Sequence, residues 1–350
     1  MFKKILCASV AVFAISAFAE EVKWKVPNGF DQASSSIPKG ALTASTQYPT
    51  RNYGNRACRI YTPPGYSATR AEKYPVLYLH HGIGGNENAW TSTNGQAEGN
   101  ADKVMDYLYA QASLNVVPMI VVMPMGNMTG TSGDAWQNFE DVLMNDLVPY
   151  IQKNYNASPD ANMRAIAGLS MGAGQTCNFG YKNPKFFTWM GAFSPAPNTI
   201  AAATTIKDMA AVKANVHLAY FGAGTAETMY LNNARNYHNY LNQNGVTPLY
   251  LNIIDGLNHE RANWNQQLHQ FAQRIFKGVT PVAQAEPLKI APAADRSAML
   301  VRGLSPTPWT MNIVRPGTAL TAGQVFSLDG RMVTQMRTNV PESRLINRTK

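Results

Sequence analysis

Residues Ala165-Ile166-Ala167-Gly168-Leu169-Ser170-Met171-Gly172 run from a short apolar stretch into the pattern Gly-x-Ser-x-Gly. They continue as Ala173-Gly174-Gln175-Thr176-Cys177-Asn178, which is compatible with a helix. A strand that turns this sharply into a helix needs glycine on both sides of the turn, and the serine between them is left with its hydroxyl at the apex. The five residues alone would also fit a tight turn with an incidental serine. Strand before and helix after make Ser170 the candidate nucleophile.

Outward from this point, short apolar runs alternate with longer amphipathic ones. Strands are expected at Val76–Leu79, Met119–Met123, Ala165–Ala167, His217–Phe221 and Leu249–Ile254, and helices at Ala101–Gln111, Phe139–Asn154, Ala173–Tyr181, Asn232–Asn244 and Trp264–Phe276. Strands alternating with helices imply an α/β fold, a mostly parallel sheet covered on both faces. Functional groups in such sheets gather on loops at the carboxyl ends of the strands.

A serine that attacks a carbonyl needs backbone N–H donors for the oxyanion and a base for its proton. Met171, directly after the serine, supplies one donor, and the loop His80-His81-Gly82-Ile83-Gly84-Gly85 can present the Ile83 N–H as the second, unless it is an ordinary Gly-rich turn. Of the six histidines, His80 and His81 precede the serine, His217 begins a strand, and His238 and His269 fall inside helical patterns. His259 follows a late strand in the loop Asp255-Gly256-Leu257-Asn258-His259 and is the expected base. Glu227, on the loop Gly222-Ala223-Gly224-Thr225-Ala226-Glu227, is the expected acid, ahead of Asp208 and Asp255.

Together these residues resemble the α/β-hydrolase fold and, within it, carbohydrate esterase family 1, the feruloyl and acetylxylan esterases of fibre-degrading bacteria. The matching stretches are Arg59-Ile60-Tyr61-Thr62-Pro63-Pro64-Gly65-Tyr66, Tyr74 to Gly85, Pro118-Met119-Ile120-Val121-Val122-Met123-Pro124, Arg164 to Gly172 and Phe193-Ser194-Pro195-Ala196-Pro197. The likeness extends over most of Tyr48 to Phe276. It implies cofactor-free ester hydrolysis on ester-substituted xylan, with Ser170 as nucleophile, His259 as base, and Ile83 and Met171 as oxyanion donors. Gly82-Ile83-Gly84-Gly85 and Ser194 to Pro197 look most like the feruloyl branch. Where the family usually has Gly-Thr-x-Asp, this chain has Gly224-Thr225-Ala226-Glu227, and its approach to His259 is poorer in glycine. Trp90, Trp136 and Trp264 are candidates to stack on a sugar or phenolic ring, or are core residues. Siderophore esterases, thioesterases and acyltransferases share this chemistry, and a carbohydrate-binding protein without activity is the non-enzymatic alternative.

Beyond that region, residues 1–19 carry Lys3 and Lys4, an apolar run and Ala17-Phe18-Ala19, the order of a signal peptide, so the mature chain is expected to be secreted, periplasmic or on the cell surface of a Gram-negative-type cell, without a membrane span. Residues 20–47 read as an N-terminal extension and 48–278 as the hydrolase domain. An Ala/Pro-rich linker follows at 279–303, and a basic β module at 304–350. That module has expected strands at Trp309–Val314, Gln324–Leu328 and Met332–Met336 and an Asp329-Gly330 turn. Of the net charge of +9, +6 lies between Pro287 and Lys350, which leaves the body near neutral and argues against nucleic acid as partner. Val325 to Val333 looks like the sorting modules of exported proteins, which implies secretion or cell-surface machinery as a partner; a plain β appendage is the alternative. Cys58 and Cys177 are compatible with a disulfide or with two buried thiols, and no Cys/His spacing suggests a structural metal.

Overall fold

The expected strands are apolar at consecutive positions, as a strand covered on both faces must be. The computed structural model describes residues 20–91, 98–128, 136–279, 324–326 and 332–335, and their strands form one large sheet and one two-stranded sheet. The strands are β1 (Glu20–Val22), β2 (Ala41–Leu42), β3 (Thr46–Pro49), β4 (Asn55–Thr62), β5 (Val76–His80), β6 (Ile120–Pro124), β7 (Arg164–Leu169), β8 (Trp189–Phe193), β9 (Leu218–Gly224) and β10 (Leu249–Ile254). The helices are α1 (Ala101–Ala110), α2 (Phe139–Val142), α3 (Val148–Asn154), α4 (Met171–Gln175), α5 (Ala202–Thr205), α6 (Met209–Asn215), α7 (Thr228–Gln243) and α8 (Arg261–Ala272). A π turn at Leu143–Leu147 joins α2 to α3, and another at Thr176–Gly180 prolongs α4.

Across the sheet the order is β1-β10-β9-β8-β7-β5-β6-β4-β2, with β3 also on β4. Pairing is parallel from β1 to β6, and β4 is antiparallel to β6, β2 and β3. The chain reverses direction across the sheet at β5, whose neighbours are β6 on one side and β7 on the other. At such a switch point the loops leaving two adjacent strands diverge and open a crevice. Here they are the His-His-Gly loop after β5 and the serine turn after β7, and the register sets His80 against Gly168.

Alternate residues of a strand face opposite sides, and the packing follows this rule. Tyr220 of β9 lies on Phe271 of α8, with ring centroids 5.7 Å apart, while the adjacent Phe221 lies on Tyr237 of α7 at 5.6 Å. The core on the α8 side adds Leu77, Leu79, Ala165, Ala167 and Phe193 from the strands and Val104, Met105 and Leu108 from α1. Each such large apolar side chain contributes roughly 1.5–3 kcal/mol by leaving water.

Several differences from the sequence reading have physical causes. The extension at 20–47 is not separate from the hydrolase: β1 continues the sheet beside β10, and β2 and β3 pair with β4. β4 and β8 were not anticipated; β4 is an antiparallel strand with no helix after it, and β8 lies in an unbroken apolar run where periodicity has nothing to register. Cys58 and Cys177 are free, buried thiols, and burial pushes both up, that of Cys58 to about 12. The chain divides into two compact units, Met1–Glu286 and Pro287–Lys350. In the second, β11 (Gln324–Phe326) and β12 (Met332–Gln335) pair antiparallel. Residues 1–19, the linker from 280, the strand at Trp309–Val314 and the Asp329-Gly330 turn lie outside the described residues. Among the described residues no helix is long and apolar enough to cross a membrane.

Candidate active site

Ser170 sits between β7 and α4 at φ 52° and ψ −117°, a conformation that costs a non-glycine residue of order 1–3 kcal/mol. The flanking glycines are required by contact. A Cβ on Gly172 would lie 2.7 Å from the carbonyl oxygens of His80 and His81, and one on Gly168 would lie 2.6 Å from the Gly172 carbonyl carbon. The turn is pinned by the Ser170 N–H donating to Phe193 O at 2.9 Å.

His259, on the loop between β10 and α8, has its Nε2 2.9 Å from Ser170 Oγ and its Nδ1 2.7 Å from Glu227 Oε2. With the carboxylate as acceptor, the Nδ1 carries the proton and Nε2 is free to accept from the serine. The two loops that meet here are zipped together: Thr225 N–H donates to Ile254 O at 3.0 Å, Ala226 N–H to Leu257 O at 3.0 Å and Gly256 N–H to Thr225 Oγ1 at 2.8 Å. Glu227 caps the start of α7 with a fully buried side chain that folds back on its own loop. Its Oε1 accepts from Gly224 N–H at 2.7 Å, Asn263 Nδ2 at 2.6 Å and Ser194 Oγ at 2.6 Å.

The loop after β5 lies against Ser170, since a Cβ on Gly82 would be 3.4 Å from Ser170 Cβ. Both peptide units of Gly82 are held. Its N–H donates to Glu98 Oε2 at 2.8 Å, and its carbonyl accepts from His81 Nδ1 at 2.6 Å and from Gly85 N–H at 3.2 Å. The His81 tautomer is fixed because its Nε2 accepts the Gly126 N–H at 2.9 Å. His80 Nδ1 donates to Gln175 Oε1 at 2.8 Å, and Gln175 Nε2 donates to the Gly126 carbonyl at 2.9 Å. Burial lowers both histidines to about 4, so they stay neutral. The Gly82 carbonyl and the Ile83 N–H point opposite ways on one trans peptide, so this anchoring also fixes the Ile83 N–H. Neither Ile83 N–H nor Met171 N–H has an acceptor among the described residues, and the Ile83 side chain is 81% exposed. Burial raises the Glu98 carboxyl, against the Gly82 hydrogen bond and the pull of His259.

The three tryptophans differ in their surroundings. Trp90 is a core residue, 1% exposed, its Nε1 donating to His80 O at 2.9 Å, and is not available to stack on a ligand. Trp264 is buried too and serves the site from behind, donating to Ser194 Oγ at 3.1 Å and meeting the His259 ring edge-to-face at 4.9 Å. Trp136 is half-buried, and its carbonyl accepts from Gln175 at 3.0 Å. The other acids and bases lie elsewhere: Asp208 caps α6, Asp255 pairs with Lys23 at 2.9 Å, His217 meets Asn162 at 2.8 Å, and His269 packs on Phe30. Ser194, Asn263, Glu98 and Tyr230, which stacks on His259, were not singled out from the sequence. Only the i, i+3 spacing of Glu227 and Tyr230 offered a signal.

A serine on a strained strand-to-helix turn, a histidine on the last loop and a parallel sheet with its switch point beneath them define an α/β-hydrolase. The sequence matches the family described as putative esterase over residues 53–275, and the chain belongs to that family, a family of carboxylic ester hydrolases. An endo-1,4-beta-xylanase/feruloyl esterase of Xylanibacter ruminicola is 32% identical over 230 residues, 63% of this chain and 29% of that protein. The chain therefore spans under a third of that curated relative. Among solved structures, a ferulic acid esterase of Anaeromyces mucronatus in complex with ferulic acid has a TM-score of 0.62 at 19% identity, covering 72% of this chain and 96% of that one. Another ferulic acid esterase has a TM-score of 0.55 at 26% identity, covering 68% and 99%.

Proposed function

We propose that this protein is an exported serine esterase that removes feruloyl or acetyl groups from plant cell-wall xylan. The observation that carries the reading is the unbroken line from Ser170 Oγ through His259 to Glu227, at 2.9 and 2.7 Å, beside a loop with a fixed, free N–H. His259 Nε2 takes the Ser170 proton as Oγ bonds to the ester carbonyl carbon, and the oxyanion accepts from the N–H groups of Ile83 and Met171. Collapse breaks the ester C–O bond, and His259 passes its proton to the departing sugar oxygen. Water, deprotonated by the same imidazole, then attacks the acyl-enzyme, and its proton returns to Ser170 as the acid leaves. The substrate class rests on the likeness to a xylanase/feruloyl esterase. Export rests on residues 1–19, and the basic C-terminal unit is the part proposed to engage sorting or surface machinery.

The test compares wild type and Ser170→Ala on methyl ferulate and on feruloylated and acetylated xylo-oligosaccharides. Wild type is expected to release ferulate or acetate, and the variant to lose roughly 10⁴-fold or more in kcat. A variant near wild type would overturn the mechanism. A wild type inactive on these esters but active on acyl thioesters or in acyl transfer would overturn the substrate class. Export predicts that the mature protein recovered outside the cytoplasm begins at Glu20.

A further inference from the structure

Tyr230 stacks on the His259 imidazole, with ring centroids 3.6 Å apart and planes inclined by 19°. It stands in the first turn of α7, three residues after the N-cap Glu227, so the two side chains leave the same end of the helix. One turn of helix thus presents a carboxylate to the Nδ1 edge of the ring and an aromatic face to its plane. Trp264 of α8 meets the same imidazole at 87°, so the ring is constrained from three sides.

An aromatic face carries negative charge density and attracts a cation placed over it within about 6 Å of its centroid. The His259 ring gains a proton, and with it a positive charge, as Ser170 gives one up. Tyr230 is therefore attracted more strongly to the ring in the transition state than in the resting state, the condition for an interaction to raise rate. We infer that Tyr230 is a positioning residue of this site that stabilises the imidazolium of His259 through its ring face. The inference rests on the proposed roles of Ser170 and His259. The titratable groups around the imidazole are Glu227 at the N-cap of α7, Glu98 ahead of α1, Glu260 and Arg261 beside it in the chain, and Tyr230 itself. The Tyr230 hydroxyl makes no hydrogen bond among the described residues, so the proposed effect is assigned to the ring.

The experiment measures kcat/KM for methyl ferulate against pH in wild type, Tyr230→Phe and Tyr230→Leu, with active sites counted by a fluorophosphonate probe. Tyr230→Phe is expected within twofold of wild type. Tyr230→Leu is expected to lose about three- to thirtyfold, which corresponds to about 0.7–2 kcal/mol, and its acidic limb is expected to move to lower pH by about 0.5–1.5 units. Because leucine also changes packing, a series of ring-fluorinated phenylalanines at position 230 keeps the shape and drains the ring face stepwise. The limb is expected to move down with each fluorine. An acidic limb that stays in place through that series, or in Tyr230→Leu whatever its rate, would overturn the inference. Activity retained by Ser170→Ala would instead overturn the reading on which it rests.

Discussion

The carboxylate of Glu227 divides its oxygens between two tasks: Oε2 holds His259 Nδ1, and Oε1 collects Gly224 N–H, Asn263 Nδ2 and the Ser194 hydroxyl. Of the three partners of Oε1, only the Ser194 hydroxyl can reverse its role. In Glu227→Gln the amide nitrogen therefore meets donors in either orientation, and in one of them it forces His259 to give up its Nδ1 proton. The expected outcome is a fall in kcat of roughly 10³–10⁴-fold with a much smaller change in KM, measured by steady-state hydrolysis of a short ester. A fall below tenfold would show that the acid does not hold the tautomer. Ser170, Glu227 and His259 were legible because chain order and loop position constrain them. Tyr230, Ser194 and Asn263 were not, because a tyrosine, a serine and an asparagine on helix and loop carry no distinctive spacing. They acquire roles only through the groups that the fold brings beside them.

At the scale of elements, the serine turn illustrates how little room a junction leaves. In Gly172→Ala the added carbon would lie 2.7 Å from two backbone carbonyl oxygens of the β5 loop, and neither can retreat as a flexible side chain would. A loss of about 2–4 kcal/mol in unfolding free energy is expected in urea melts, along with most of the activity. A variant as stable as wild type would mean that the β5 loop can move away. The amphipathic pattern found α1, α7 and α8 because one face of each meets the sheet. The same pattern could not find β8, apolar at every position because both its faces are covered. Trp90 and Trp264 read equally well as ligand platforms or core, since position on a loop does not report depth. Their burial was decided by what packs over them.

For the molecule as a whole, the histidines that do not face Ser170 set a pH limit. Burial lowers His80, His81 and His269 from 6.5 to about 4, so between those values the unfolded chain binds protons that the native state refuses. Their contribution is present above pH 6.5 and is lost as pH falls towards 4. Between pH 7.5 and 5.0 each costs about 2 kcal/mol, a large part of a typical domain's ~5–15 kcal/mol. His217 and His238, also lowered by burial, act in the same sense, and Glu98, raised by burial, in the opposite one. Urea unfolding at the two pH values is expected to show the drop, and His269→Leu to shrink it by about 2 kcal/mol; an unchanged difference in that variant would refute the assignment. The sequence by itself determined the α/β class, the serine turn and the chain order of the candidates Ser170, Glu227 and His259, because these depend on local sterics and on sequence periodicity. Only the tertiary structure decided that β5 lies between β6 and β7, that Glu227 reaches His259 by folding back, and that Tyr230 covers the ring. Strand order and side-chain contact are set by long-range packing, which no local pattern records.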